Sequence, residues 1–123
     1  MRRAVLVVNP FASQVTDERV EAVRAELERG ASVETLFTER PGHAVELVQA
    51  VTEADAIFVF SGDGGFNEAL NGADGRVPLG FVPGGGTSVL PRVLGLPREP
   101  VAAARRLGRR SRPDGRAASR SAG

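Results

Sequence analysis

Ser61-Gly62-Asp63-Gly64-Gly65-Phe66-Asn67-Glu68 follows directly on the apolar run Ala56-Ile57-Phe58-Val59-Phe60. A second glycine cluster, Pro83-Gly84-Gly85-Gly86-Thr87, follows the apolar run Val77 to Val82. Two strands that each end in a glycine turn and then enter a helix place two phosphate-sized cradles on one sheet edge. Open α/β sheets bind ligands at that edge, beyond the carboxyl ends of their strands. Glycine lets backbone N–H groups approach an anion closely, and the helix start behind them adds positive potential. The Asp63 carboxylate would repel a bare phosphate, so its natural partner is a metal ion that bridges to one. This pattern reads as a nucleotide site.

Gly-Asp-Gly is common in ordinary turns, and its place after a buried strand is what gives it weight. Asn67 and Glu68 read as residues at a helix start, where they either cap the helix or hydrogen-bond a nucleotide. Gly84-Gly85-Gly86 holds more conformational freedom than a turn requires, which costs entropy on folding and favours close approach of a ligand to backbone. Thr87 is then a hydroxyl donor to phosphate. Asn9-Pro10 closes the first apolar run and offers a third wall, and Thr38 falls just past a strand end on the same side. His43, the one histidine, follows Pro41-Gly42 with no Ser, Cys or Asp partner at catalytic spacing and reads as structural.

The elements that must position these residues alternate. Ala4–Val8 is a strand ended by Asn9-Pro10. Thr16 or Asp17 caps a helix carrying Val20, Val23, Ala25 and Leu27 and ending at Gly30. Ser32–Phe37 alternates as a strand, with Val33 and Phe37 in step. Ala44, Val45, Val48 and Val51 mark a second helix. Ala56–Phe60 is apolar throughout, as a strand covered on both faces must be. A helix from about Phe66 to Asn71, a strand over Val77–Val82, a helix over Thr87–Leu94 limited by Pro91, and a last helix over Glu99–Leu107 complete the series. The pattern predicts a three-layer, doubly wound, mostly parallel α/β sheet with right-handed crossovers, over one domain, residues 1–107. From Gly108 to Gly123 the composition turns to Arg, Ser, Gly, Ala and Pro, a disordered basic tail or linker.

Composition excludes several chemistries. All sixteen basic residues are arginine, so there is no Walker A lysine, no kinase strand lysine and no Schiff-base lysine. A glycine turn behind the first strand, which a dinucleotide fingerprint needs, is absent, since Asn9-Pro10-Phe11-Ala12 stands there. No Cys/His metal site or nucleophile–base pair is present. The lack of cysteine fits a cytoplasmic protein, and no apolar stretch is long enough to span a bilayer. Net charge is +1, but Arg105, Arg106, Arg109, Arg110, Arg112, Arg116 and Arg120 face only Asp114 near the end. With no apolar residue beyond Leu107 beside them, they read as solvated, and no nucleic-acid partner is expected.

Four motifs in order are more specific than any one: Asn9-Pro10; Thr38-Glu39-Arg40-Pro41-Gly42-His43-Ala44; Ser61 to Glu68; and Pro83 to Thr87. Together, over residues 4 to 107, they resemble the catalytic domain of diacylglycerol kinases and related bacterial lipid kinases, whose nucleotide-binding fold is shared with phosphofructokinases and NAD kinases. The resemblance implies ATP and Mg²⁺, with Asn9, Thr38, the loop Ser61, Gly62, Asp63, Gly64, Gly65, Phe66, Asn67 and Glu68, and Gly85, Gly86 and Thr87 around the nucleotide. Asp63 takes the acidic, metal-linked role. It also implies transfer of the γ-phosphoryl group to a lipid hydroxyl such as that of diacylglycerol, at the inner face of a membrane.

The loop departs from the family's usual Gly-Gly-Asp-Gly-Thr, with Ser61 at its first glycine and Gly65 at its threonine. Val89 and Leu90 stand where the second loop usually carries a polar pair. Family members also carry a β-rich second domain that supplies the general base and much of the lipid cleft. The run from Gly108 to Gly123 does not supply it, so the chain reads as a truncated or frame-disrupted product, or as a domain completed by a second copy or a partner chain. A non-catalytic nucleotide-binding or regulatory module, and a kinase of NAD-kinase type with another acceptor, are the competing readings.

Overall fold

The structure, a computed structural model, describes residues 2–85 and 99–110. Its elements are β1 (Arg3–Val8), α1 (Asp17–Glu28), β2 (Ser32–Phe37), α2 (His43–Ala50), β3 (Ala56–Ser61), α3 (Asp63–Gly72), β4 (Leu79–Pro83) and α4 (Pro100–Arg110). The four strands form one parallel sheet in the order β2-β1-β3-β4. The doubly wound α/β architecture expected from the alternation is the one found. The expected helix over Thr87–Leu94 and the run 111–123 lie outside the described residues.

Why the sheet is covered on both faces follows from β1 and β3. Ala4 to Val8 and Ala56 to Ser61 are all buried, so both faces of the central pair need a helical layer. Ala4, Leu6, Val8, Phe58 and Phe60 pack against Val20, Val23 and Leu27 of α1 and Ala104 of α4. Val5, Val7, Ile57, Val59 and Phe81 pack against Ala44 and Val48 of α2 and Phe66 and Ala69 of α3. Thr16 caps α1, its hydroxyl accepting from the Arg19 N–H at 3.2 Å, and Asp17 and Glu18 occupy the favourable end of the helix dipole.

Several boundaries differ from expectation. α3 begins at Asp63, not Phe66, because Gly62 is extended and its carbonyl already accepts from the Phe66 N–H at 3.1 Å. Glycines in the first turn read locally as a loop, yet the packing of Phe66 and Ala69 on the sheet pays their entropic cost. β4 starts at Leu79, since Pro78 has no N–H for the ladder and offers only its carbonyl, to Ile57 N at 2.9 Å. α4 continues past Leu107 to Arg110, so the change in composition at Gly108 falls inside a helix. Gly108 there lies against the Glu26 carbonyl of α1. Ala25 and Phe37, expected on buried faces, are exposed, Phe37 because β2 is an edge strand.

Two changes test this packing. A β-carbon at Gly72 would lie 2.6 Å from the Val45 carbonyl oxygen and 3.0 Å from its Cα, backbone atoms that cannot rotate away. Gly72→Ala is expected to lower stability by about 1–3 kcal/mol, read as a melting midpoint lower by roughly 4–12 °C. Asp55 accepts from the Arg2 and Arg3 N–H groups at 2.7 and 3.0 Å, and the Arg3 bond foremost holds its carboxyl below the ordinary range. A carboxyl depressed in the folded state stabilises above its unfolded value of about 4 and loses that contribution as pH falls. Asp55→Asn should therefore destabilise at neutral pH and flatten the acid limb of the stability–pH curve, measured by urea unfolding.

Candidate functional site

At the carboxyl edge of the sheet the parallel ladder continues into the loops. The Thr38 N–H donates to Val8 O at 2.8 Å, Asn9 N–H to Phe60 O at 2.9 Å, and Gly84 N–H to Ser61 O at 2.7 Å. Gln14 N–H then donates to Gly84 O at 2.8 Å, and the Arg19 guanidinium holds the Gln14 carbonyl and side chain at 3.1 and 2.9 Å. All four strand ends are thus tied to one another. The two glycine loops meet, with a β-carbon at Gly62 3.7 Å from Gly85 Cα.

Asn9 turns the chain on itself, its Oδ1 accepting from Phe11 N–H at 2.9 Å, an Asx turn. The Thr38 to Ala44 loop is set by His43, whose Nδ1 accepts from Glu39 N–H at 2.9 Å. His43 is therefore a loop-setting residue, as expected. Gly42 caps α2 at a φ of 84°, a left-handed conformation that favours glycine, and offers no side chain for the N–H groups behind it. Glu68 of α3 supplies that function across the site, its Oε1 accepting from Ala44 N–H at 3.3 Å.

Between these loops lies a cleft of about 470 Å³ on the α2–α3 side of the sheet, a volume in the range of small-ligand sites. Asn9, Thr38, Ser61, Gly65 and Glu68 all line it, so the sequence candidates from three separate loops come together. Thr38 and Ser61 are buried at 7 % and 1 % exposure. Phe11, 74 % exposed, stands at the rim. Arg40, another lining residue, pairs with Glu46 at 2.8 Å, and that bond keeps the Glu46 carboxyl below its usual range. Both groups are exposed, and such pairs contribute little to stability. Phe11 and Arg40 were not singled out by residue type; their place beside Asn9-Pro10 and within the Thr38–Ala44 motif is the signal that marks them.

Other candidates do not line this cleft. Phe66 belongs to the core, its ring 4.7 Å from that of Phe81, so its side chain is not available to a ligand. Asn67 is exposed and, like Glu68, sits in the second turn of α3 instead of at its start. Gly62, Asp63 and Gly64 form the N-terminal end of α3, beside Gly85, with no side-chain cap from Gly62. Gly86 and Thr87 lie outside the described residues. Asp63 is partly exposed, with its Oδ1 buried. Among the described residues no three carboxylate, His or Cys side chains cluster to hold a metal. Mg²⁺ that arrives on a nucleotide takes one or two protein carboxylates and the phosphates as ligands, and the single carboxylate of Asp63 at the start of α3 would fit that donor set.

Comparison with known proteins gives a consistent result. Residues 3–115 match the diacylglycerol kinase catalytic domain family. The chain is 33 % identical over 108 residues to a diacylglycerol kinase of Bacillus subtilis, covering 82 % of this chain and 36 % of that protein. It is 37 % identical over 103 residues to human sphingosine kinase 2, covering 72 % and 15 %. A crystal structure of a diacylglycerol kinase from Bacillus anthracis superimposes with a TM-score of 0.79 at 29 % identity, over 87 % of this chain and 39 % of that one. The chain therefore spans little more than a third of the length of these bacterial relatives.

The cap across the site is testable. Glu68→Ala leaves the Ala44 N–H without its carboxylate and should cost about 1 kcal/mol. Faster hydrogen exchange at the Ala44 amide, with α3 amides unaffected, is the expected local readout.

Proposed function

The chain belongs to the diacylglycerol kinase catalytic domain family, and on that premise we propose that it is the nucleotide-binding part of an ATP-dependent lipid kinase. The observation that carries the reading is the joining of four strand ends into one edge, with a cleft lined by Asn9, Thr38, Ser61 and Gly65 and with Gly85 of the second glycine loop beside Gly62 at the start of α3. The phosphates lie at that N-terminus, where Gly62 and Gly64 leave room beside the backbone and the helix dipole favours anions. Gly85 lies beside Gly62, and Gly86 and Thr87, which lie outside the described residues, are assigned to the nucleotide by the resemblance of their motif. Asp63 would hold Mg²⁺, which would supply neutralisation of charge on the phosphates.

In the transfer itself, the acceptor hydroxyl oxygen bonds to the γ-phosphorus as the bond to the β,γ-bridging oxygen breaks, and the hydroxyl proton passes to a base. The residues of this chain contribute positioning and charge neutralisation, the main sources of catalysis in phosphoryl transfer. The base and most of the lipid site come from a second domain or partner chain. The acceptor is a lipid hydroxyl such as that of diacylglycerol, met at a membrane surface. Among the described residues no helix is long and apolar enough to cross a membrane. A nucleotide-binding module that performs no transfer is the second reading, favoured by the missing polar residues at Gly65, Val89 and Leu90.

Calorimetry of the 123-residue chain with ATP, with and without Mg²⁺, tests the proposal. Mg²⁺-dependent binding is expected, and Asp63→Asn should abolish the Mg²⁺ dependence while the fold is kept. A folded chain that binds no ATP would end the kinase reading. Binding without transfer to any lipid, even with the complementing domain supplied, would favour the module.

A further inference from the structure

Strand β2 closes one side of the sheet with half of its backbone in use. The Ser32 N–H donates to Arg2 O at 2.9 Å and the Thr38 N–H to Val8 O at 2.8 Å, so the even-numbered residues turn their N–H and C=O groups towards β1. Val33, Thr35 and Phe37 turn theirs outward, and among the described residues no strand receives them. Such a row of unpaired groups is a template for a further strand. Proline and bulges commonly blunt an edge, but β2 has six residues, no proline and an unbroken register against β1. Its one charged side chain, Glu34, is paired with Arg3 at 2.8 Å.

The side chains carry a second signal. Val33, Thr35 and Phe37 stand opposite Ala4, Leu6 and Val8, on the α1 face of the sheet. Phe37 is 47 % exposed, while the Thr35 Oγ1 is buried without a hydrogen-bond partner. A buried hydroxyl that satisfies nothing costs free energy. A threonine opposite it on an added strand would supply the missing partner, as cross-strand threonine pairs do.

We propose that the outer edge of β2 is a self-association surface, which pairs antiparallel with β2 of a second copy about a two-fold axis through Thr35. An axis perpendicular to the sheet keeps each face on its own side, so odd-numbered residues oppose odd and even oppose even. Centring the axis on Glu34 would set two carboxylates directly opposite each other, which is unfavourable. Centring it on Thr35 avoids that clash and pairs residues 33–37 throughout. The contact is then the same patch used twice: Thr35 meets Thr35 of the second copy, and Phe37 meets its Val33, an aromatic against a β-branched side chain. Beyond the strand, exposed Arg29, whose link to Glu26 is a long 3.5 Å, is brought towards the segment of the second copy that carries exposed Glu39. Arg40 of that segment is already held by its own Glu46. The antiparallel arrangement points the two carboxyl edges in opposite directions, so a second copy joined in this way adds no carboxyl-edge loop to its neighbour's cleft. The contact does not depend on which ligand that cleft takes.

The chain has no cysteine, which makes thiol pairing a direct reporter of register. Full-length Glu34→Cys and Leu36→Cys are oxidised separately and as a mixture, and the wild type is sedimented across a concentration series. Glu34 and Leu36 of the second copy form a non-hydrogen-bonded pair with Cα atoms about 4.5 Å apart, within disulfide reach. Identical positions are offset by two residues and lie about 8 Å apart, beyond that reach. A disulfide dimer is expected from the mixture and from neither variant alone, and a reversible dimer from the wild type. Phe37→Asp, at a half-exposed position, should keep the fold by circular dichroism and weaken dimerisation by more than about 10-fold. A wild type that sediments as one copy throughout, with no disulfide in the mixture, would overturn the proposal. Cross-linking of either variant alone would overturn the register, and a dimer indifferent to Phe37→Asp would overturn the assignment to this edge.

Discussion

The parallel ladder between β1 and β3 is the constraint on which the rest depends. Both strands are buried on both faces, so neither can be a surface strand and each must be reached by a crossover through a helix. With all four strands parallel, every strand delivers its following loop to the same edge. Helices then cover both faces, and at this edge the backbone of the loops can face a ligand. Site and core are consequences of one arrangement: the residues that bury the sheet also decide which loops meet.

That edge is tied more firmly than loops usually are. Hydrogen bonds from Thr38, Asn9 and Gly84 extend the ladder past the strand ends, and Gln14 and Arg19 fasten the loop after β1 onto the second glycine loop. Polar satisfaction crosses element boundaries as well. Glu68 caps α2 from α3 and His43 fixes the loop before its own helix, so two residues whose types suggest ligand or catalytic chemistry are held by backbone N–H groups. Glu68 still lines the cleft, with one oxygen committed to that cap.

The sequence is most legible where burial is two-sided and least where it is one-sided. Ala4–Val8 and Ala56–Phe60 are uninterrupted apolar runs, and a run of that kind between turn signals has few other readings. Phe37 and Ala25 mislead because periodicity shows that a residue can be buried, not whether an element lies over it; among the described residues β2 has no neighbouring strand on its outer side. The start of α3 is hidden because glycine and aspartate have poor helix propensity, and only the docking of Phe66 and Ala69 on the sheet makes the turn they begin worth forming. α4 extends through Gly108 for the same reason, since its packing against α1 outweighs the local preference.

Residue type and order determine that this chain is a parallel α/β domain with two glycine loops behind its buried strands, because hydrophobic runs and glycine turns act locally and leave their mark in consecutive residues. Four motifs in order also carry the family. Tertiary structure alone decides which candidates share a space: it brings Asn9, Thr38, Ser61, Gly65 and Glu68 around one cleft, commits Phe66 to the core, and places Gly62 beside the second loop. It alone shows that Ser61 and Gly65 touch. Contacts between residues on a strand end and a helix turn depend on how the helix docks, and docking is set by side chains tens of residues away, so no spacing along the chain records them.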